Sequence, residues 1–234
     1  EIQCGAVMEK EKRLRGIIFL GGRSDYSPEE VSLLGVPYVC CSYTNSYGTL
    51  PPESYSSVSI ADEQEAYRAV SELYKNGHRR IAVLTSDPDD SSISQLRYLG
   101  YQRALEEANV PYRSALVRTV PIISGKMEEK ILQALEDGIS YTAILAFSDL
   151  VAWQMICLIC RRGQSIPKDY SVIGFDNIKT MYPLRLTSVS SSKTTMARRA
   201  VELLLGKLEH RSEEEKHFVL ETRIVEGDTV SRRG

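Results

Sequence analysis

No apolar run in this 234-residue chain reaches the ~18 residues that a membrane-spanning helix needs, and no secretory signal pattern opens it. No membrane partner is expected. Histidine is scarce: His78, His210 and His217 lie far apart in sequence, and no cluster of histidines and carboxylates has metal-site spacing. Neither sign of charge is in excess, with 29 Lys and Arg against 31 Asp and Glu and a formal net charge of −2. That balance lacks the basic surface that binds phosphate backbones, so direct nucleic-acid contact by these residues is not expected. Also missing are a dinucleotide-binding G-x-G-x-x-G after the first strand, a P-loop and a recognisable nucleophile motif. These absences argue against an enzyme, and no cofactor or metal is implied.

Five cysteines are present, an odd count. Cys40 and Cys41 are adjacent in an apolar run, where a strand points them to opposite faces as small buried hydrophobes. Cys157 and Cys160 have C-x-x-C spacing, but they sit in an apolar stretch of helical character without flanking Gly or Pro, and read as helix core.

What is present is a globular composition, 42% hydrophobic and 26% charged, long enough for one large domain or two lobes. Short apolar runs of strand length at 16–20, 36–42, 81–85, 115–120, 142–149, 171–175 and 218–225 are separated by segments with helical periodicity. The last, alternating apolar and polar, reads as one edge strand. Ser27-Pro28-Glu29-Glu30 has the pattern of a capping box. Ala66, Ala69, Val70, Leu73 and Tyr74 form the buried stripe of a helix over 63–75, with Asp62 placed to cap it. Asp149 is placed to cap the helix over 150–162, on which Trp153 is core or subunit interface. Gly77 suits a left-handed position after a helix, His78 reads as a structural hydrogen-bonder, and 209–216 reads as a solvated turn. Alternating strands and helices predict parallel α/β sheets.

The stretch Ile166-Pro167-Lys168-Asp169-Tyr170-Ser171-Val172-Ile173-Gly174-Phe175-Asp176-Asn177 is the most informative. Pro167 ends what precedes it, 171–175 has buried-strand length, and Asp176-Asn177 set a carboxylate and an amide just past its end. Ligands of open α/β sheets bind at such carboxyl ends. The run resembles the I-P-x-D-x-S-V-x-G-F-D signature of the effector-binding core of the lactose and galactose repressor family of bacterial transcription regulators. Further stretches fit in order. Residues 16–20 with Gly21-Gly22-Arg23 resemble the family's strand and cleft loop, and Gly77-His78-Arg79-Arg80-Ile81 its G-H-x-x-I. Ser94, Arg97, Gly100 and Tyr101 match S-x-x-R-x-x-G-Y, residues 142–149 resemble T-A-I-x-x-x-N-D, and 183–189 resemble P-x-L-T-T-V.

The resemblance implies a two-lobed, periplasmic-binding-protein-like α/β fold of type I, each lobe a parallel sheet flanked by helices, with three hinge crossovers. The lobes would be 1–60 with 190–217, and 61–189 with 218–234. It also implies a cleft whose ligand-binding candidates are Arg97, Asp176, Ser148, Ser42, Gly22, Ile60 and Ser94. A fork donor at Arg97, an acceptor at Asp176 and several hydroxyls suit a small polyhydroxylated effector, a carbohydrate. The chain departs from the pattern at Ser42, where Asp is common, at Ser148, where Asn is usual, and at Gly227, where Arg is usual. Ile122 or Ile123 falls where relatives carry an aromatic. The implied whole is a cytoplasmic, homodimeric transcription repressor whose operator DNA is bound by a helix-turn-helix head. That head, and the family's first two strands and helix, are not in this stretch, which would leave a sheet edge open. The alternative is a sugar-binding protein of a transporter, which shares the fold.

Overall fold

Short β-branched runs and longer periodic segments alternate along the chain, and each becomes the element its period dictates. In this computed structural model, which describes residues 1–86, 91–121, 125–179, 183–209 and 214–233, the chain forms two units. The first comprises Glu1–Ala61, Ser91–Ile93 and Ser191–Glu221; the second comprises Asp62–Asp90, Ser94–Ser190 and Thr222–Gly234. The positions of Ile122 and Ile123 lie outside the described residues.

In chain order the first unit opens with α1 (Ile2–Lys12), β1 (Ile17–Leu20), α2 (Pro28–Val31), β2 (Tyr38–Cys41) and β3 (Ser56–Ile60). The second then supplies α3 (Asp62–Lys75), β4 (Ile81–Thr85), α4 (Ile93–Glu107), β5 (Val117–Thr119), α5 (Met127–Glu136), β6 (Ala143–Ala146), α6 (Asp149–Arg161), β7 (Ser171–Phe175) and β8 (Thr187–Ser191). The first is completed by α7 (Lys193–Leu208) and β9 (His217–Leu220), the second by β10 (Thr222–Val225). The single edge strand expected over 218–225 is thus two strands in different sheets. Non-helical Glu221 separates them, β9 pairs in parallel with β3, and β10 lies beside β8.

The first unit has a four-stranded sheet in the order β1-β2-β3-β9, with every pairing parallel. Its β1 edge has no strand partner besides β2 among the described residues. Cys40 packs on one face with Phe19, Tyr43 and Tyr55, and Cys41 on the other with Val39, Val58 and Ala200 of α7, as period two requires. The capping box forms as the sequence predicts: Ser27 Oγ accepts from Glu30 N–H, and the Glu30 carboxylate accepts from Ser27 N–H. Of the stretch 209–216, residues 210–213 lie outside the described residues, and Glu215 is held rather than solvated: it is paired with Lys207 and accepts from Ser56 Oγ.

The second unit has a six-stranded sheet in the order β10-β8-β7-β6-β4-β5. The pairs β4–β5, β4–β6, β6–β7 and β7–β8 are all parallel. Alternation along β6 divides the core. Ile144 and Ala146 join Ile131, Met155 and Ile159 on the α5–α6 face; Ala143 and Leu145 join Ala66, Val70, Leu73 and Tyr101 on the α3–α4 face. Two-sided burial explains why these strands read as continuous apolar runs. Cys157 is half-buried and Cys160 exposed on α6, and both are reduced, so the expected helix-core position does not hold for Cys160.

The G-H-R-R-I segment anchors the carboxyl-terminal residues. Gly77 has φ +89, and a Cβ there would lie 2.2 Å from the Arg233 carbonyl oxygen, so glycine is required twice over. His78 is buried, with Nδ1 2.9 Å from Thr142 Oγ1 and Nε2 3.1 Å from the Ser231 carbonyl. Burial lowers its pKa, which keeps the ring neutral at neutral pH. The structural role expected for His78 is the one it has.

Two glycines give opposite expectations. At Gly100 of α4 a Cβ would stand 2.1 Å from the Glu63 carbonyl oxygen of α3, whereas at Gly206 of α7 nothing lies within 4 Å. Gly100→Ala should therefore destabilise by ~1–3 kcal/mol. Gly206→Ala should stabilise by about 0.5–1 kcal/mol through helix propensity. Urea unfolding of both variants measures the difference.

Candidate ligand site

Five strands of the second sheet, β4 to β8, run parallel, so the segments leaving β4, β6 and β7 emerge at one edge, where Phe147-Ser148 and Asp176-Asn177 lie. From α4, Arg97 reaches this edge. Its Nε donates to Asp62 Oδ1 at 2.8 Å, Nη1 donates to the Phe147 carbonyl, and the guanidinium lies over the Phe175 ring, 4.1 Å from its centroid. Phe147 and Phe175 meet edge to face, with centroids 6.4 Å apart. The second terminal nitrogen of Arg97, Nη2, meets no acceptor among the described residues.

Asp62 is not the helix cap that the sequence suggested. It is the first residue of α3, its side chain is 2% exposed against 12% for Arg97, and it serves as the counter-charge of that arginine. Burial raises the Asp62 carboxyl above its ordinary value, Arg97 pulls it back, and the nearby charges of Asp176 and Glu65 push the same way as burial. The influence of Asp176 on Asp62 places both carboxylates in one electrostatic neighbourhood with Arg97. A buried arginine without a carboxylate is costly, and that rule was the signal in the sequence that could have led to Asp62.

Asp149 also differs from expectation. The cap of α6 is Ser148, whose Oγ accepts from Val151 N–H at 3.3 Å. Asp149 is instead fully buried and fastens the turn after β7. Its Oδ1 accepts from Ser188 Oγ and its Oδ2 from Ile178 N–H, both at 2.7 Å. Gly174 is required beside it, because a Cβ there would lie 2.2 Å from Asp149 Oδ1. Ser188 Oγ also accepts from Asn177 N–H at 2.9 Å. The turn holds Asp176 at φ 106 and Asn177 at φ 51, and Asp176 N–H donates to the Val189 carbonyl at 2.9 Å. Positive φ is uncommon outside glycine, and it concentrates at functional sites when the surroundings fix it.

Ser94 lies one turn before Arg97 on α4, with its Oγ 2.5 Å from Ser86 Oγ just after β4. Arg97, Ser148, Asp176 and Ser94 are thus gathered near the strand ends of one sheet. Ser42, Gly22 and Ile60 belong to the first unit. There Ser42 follows β2 with φ 73 and donates its N–H to the Val58 carbonyl at 2.7 Å. Gly22 lies against the Tyr43 ring, 3.0 Å from a built Cβ, and Ile60 ends β3 opposite Leu220. Gly227, where the repressor pattern has arginine, packs against the Arg185 backbone, which a Cβ would approach to 2.2 Å. No helix of the described residues is long and apolar enough to cross a membrane.

Parallel sheets flanked by helices, with polar side chains gathered at the carboxyl strand ends of one of them, define an α/β protein with a candidate small-ligand site at the position such sheets use. Residues 70–230 match the model of the periplasmic binding protein-like domain. The chain is 33% identical over 223 residues to the HTH-type transcriptional regulator MalR of Clostridium butyricum, covering 94% of this chain and 66% of that protein. It therefore spans about two thirds of the length of that relative. Among solved structures, the transcriptional regulator CelR in complex with cellobiose superposes with a TM-score of 0.82 at 24% identity, over 97% of this chain and 69% of that one. A LacI family transcriptional regulator of Enterococcus faecium with bound ribose gives a TM-score of 0.82 at 20% identity, over 98% and 84%. The chain belongs to the periplasmic-binding-protein-like family, and within it to the LacI-type regulators.

Proposed function

We propose that this chain is the effector-binding and dimerising core of a DNA-binding transcription repressor, and that its effector is a small neutral polyol, a carbohydrate. The observation that carries the reading is Arg97, a guanidinium fixed by Asp62, the Phe147 carbonyl and the Phe175 ring, with Nη2 left for a ligand oxygen. Asp176 supplies the acceptor for ligand hydroxyls, Ser148 can donate the hydroxyl proton that its capping role does not use, and Ser94 adds a hydroxyl on the same helix as Arg97. Ser42, Gly22 and Ile60 are the ligand-facing candidates of the first unit. The cellobiose and ribose bound by the two structural neighbours support the carbohydrate class, and the regulator relatives favour a repressor core over a transporter's binding protein. In this reading the ligand leaves unchanged, operator DNA is bound by a head outside these 234 residues, and the site of action is the cytoplasm.

A second copy of the chain is the proposed partner of the second unit. Leu150 is 53% exposed and Ile178 46% exposed, and the Ile178 N–H bonds to Asp149, the residue before Leu150. Trp153 is half-buried one turn further along α6. Exposed large apolar side chains on one unit support the reading of this region as an association surface.

Calorimetric titration with cellobiose, ribose, glucose and maltose should identify a binder among them. Asp176→Asn and Arg97→Gln should each weaken it by about ten- to a hundredfold, the cost of a lost charge-assisted hydrogen bond. Equal affinity in wild type and both variants would move the ligand site elsewhere. In sedimentation equilibrium the wild type should be dimeric and Leu150→Asp/Ile178→Asp monomeric; a wild-type monomer at all concentrations would remove the dimer from the account.

A further inference from the structure

We propose a second ligand site in the second unit, an anion pocket at the amino-terminal end of β4, suited to a small organic phosphate or carboxylate with an apolar body. Its rim is formed by Arg79, Arg80 and Arg113, and its cavity of about 250 Å³ is floored by apolar side chains that include the buried Ile81 and Leu105. The candidate carbohydrate site lies at the other end of the same strand, roughly 15 Å away at ~3.3 Å per residue.

Charge is the first argument. Arg68, Arg103, Arg118 and Arg162 of the same unit each have a carboxylate within ion-pair distance. None of the three rim arginines has such a partner among the described residues. Three like-charged guanidinium groups lining one hollow, all exposed, repel one another modestly through water, and an anion among them would turn that repulsion into attraction. Preorganisation is the second. The Arg79 guanidinium lies 3.8 Å from the Tyr74 ring centroid, and its Nη1 donates to the carbonyls of Tyr74 at 2.9 Å and His78 at 3.2 Å. Stacking and two carbonyls hold the fork in place without neutralising it, so little side-chain entropy is lost when an anion binds. The apolar floor is the third: inorganic phosphate would leave it unused, whereas an ester or an aromatic acid would cover it. Arginines that were merely solvated would show none of this selectivity.

Phenyl phosphate is the probe, with phenol and inorganic phosphate as the two halves of its chemistry, titrated into the full chain by calorimetry at fixed ionic strength. Phenyl phosphate should bind at least tenfold more tightly than either half. Arg80→Gln/Arg113→Gln, whose exposed side chains make no hydrogen bond among the described residues, should weaken it tenfold or more with an unchanged melting temperature. Arg79→Gln should weaken it as well, and Asp176→Asn should leave it unaltered. The proposal is overturned if phenol or inorganic phosphate binds as tightly as phenyl phosphate, if the double variant binds like wild type, or if Asp176→Asn weakens the probe to the same degree.

Discussion

A guanidinium withdrawn from water needs a counter-charge, and at the carboxyl ends of the second sheet that requirement joins α4 to α3 through Arg97 and Asp62. Two unit charges ~4 Å apart attract by about 4 kcal/mol at the effective dielectric of a protein. Both groups also lose hydration, and burial raises the Asp62 carboxyl even beside an arginine, so the pair contributes less to stability than to orientation. Its consequence is geometric. With Nε on Asp62, Nη1 on the Phe147 carbonyl and one face on Phe175, the guanidinium plane is set by groups from α3, the turn after β6 and β7. A donor so constrained loses little freedom on binding, which is the physical meaning of a preorganised site.

The acceptor side is built by a different device. Asp149, fully buried, acts as a fastening for the turn after β7 by accepting from Ser188 and from Ile178 N–H. That turn carries Asp176 and Asn177 in left-handed backbone, and Gly174 exists so that Asp149 can come this close. The G-F-D of the sequence is therefore one mechanical unit: the glycine admits the fastening, the phenylalanine seats the arginine, and the aspartate sits in the turn at the strand's carboxyl end. Ser148, by capping α6, completes the frame from the neighbouring strand.

Most of the fold was legible because its signals are local. Strand runs with β-branched residues, the Ser27 capping box, the Gly77 turn and the opposite faces of Cys40 and Cys41 need only nearest neighbours to be read. What was misread depends on partners distant in sequence. An aspartate ahead of a helix looks the same whether it caps, as expected for Asp62 and Asp149, or neutralises Arg97 and fastens a turn; thirty-five residues separate Asp62 from Arg97, and thirty-nine separate Asp149 from Ser188. The last strand looked single because alternation runs on through 218–225, and only the assignment of β9 and β10 to two sheets separates it. Of the candidate site, the placement of Arg97 and Asp176 near the strand ends was readable from their motifs. The roles of Phe175 and the Phe147 carbonyl were not, because a ring face and a backbone oxygen leave no mark in a residue pattern.

Arg97 and Asp62 form one coupled, buried unit. A double-mutant cycle by urea unfolding, with wild type, Asp62→Asn, Arg97→Gln and the double variant, measures it most directly. Each single variant should lose ~3–5 kcal/mol, because the partner is left buried and uncompensated. The double variant should lose less than the sum, with a coupling on the order of 1–3 kcal/mol. Losses that add without coupling would mean that the two side chains do not act as a pair.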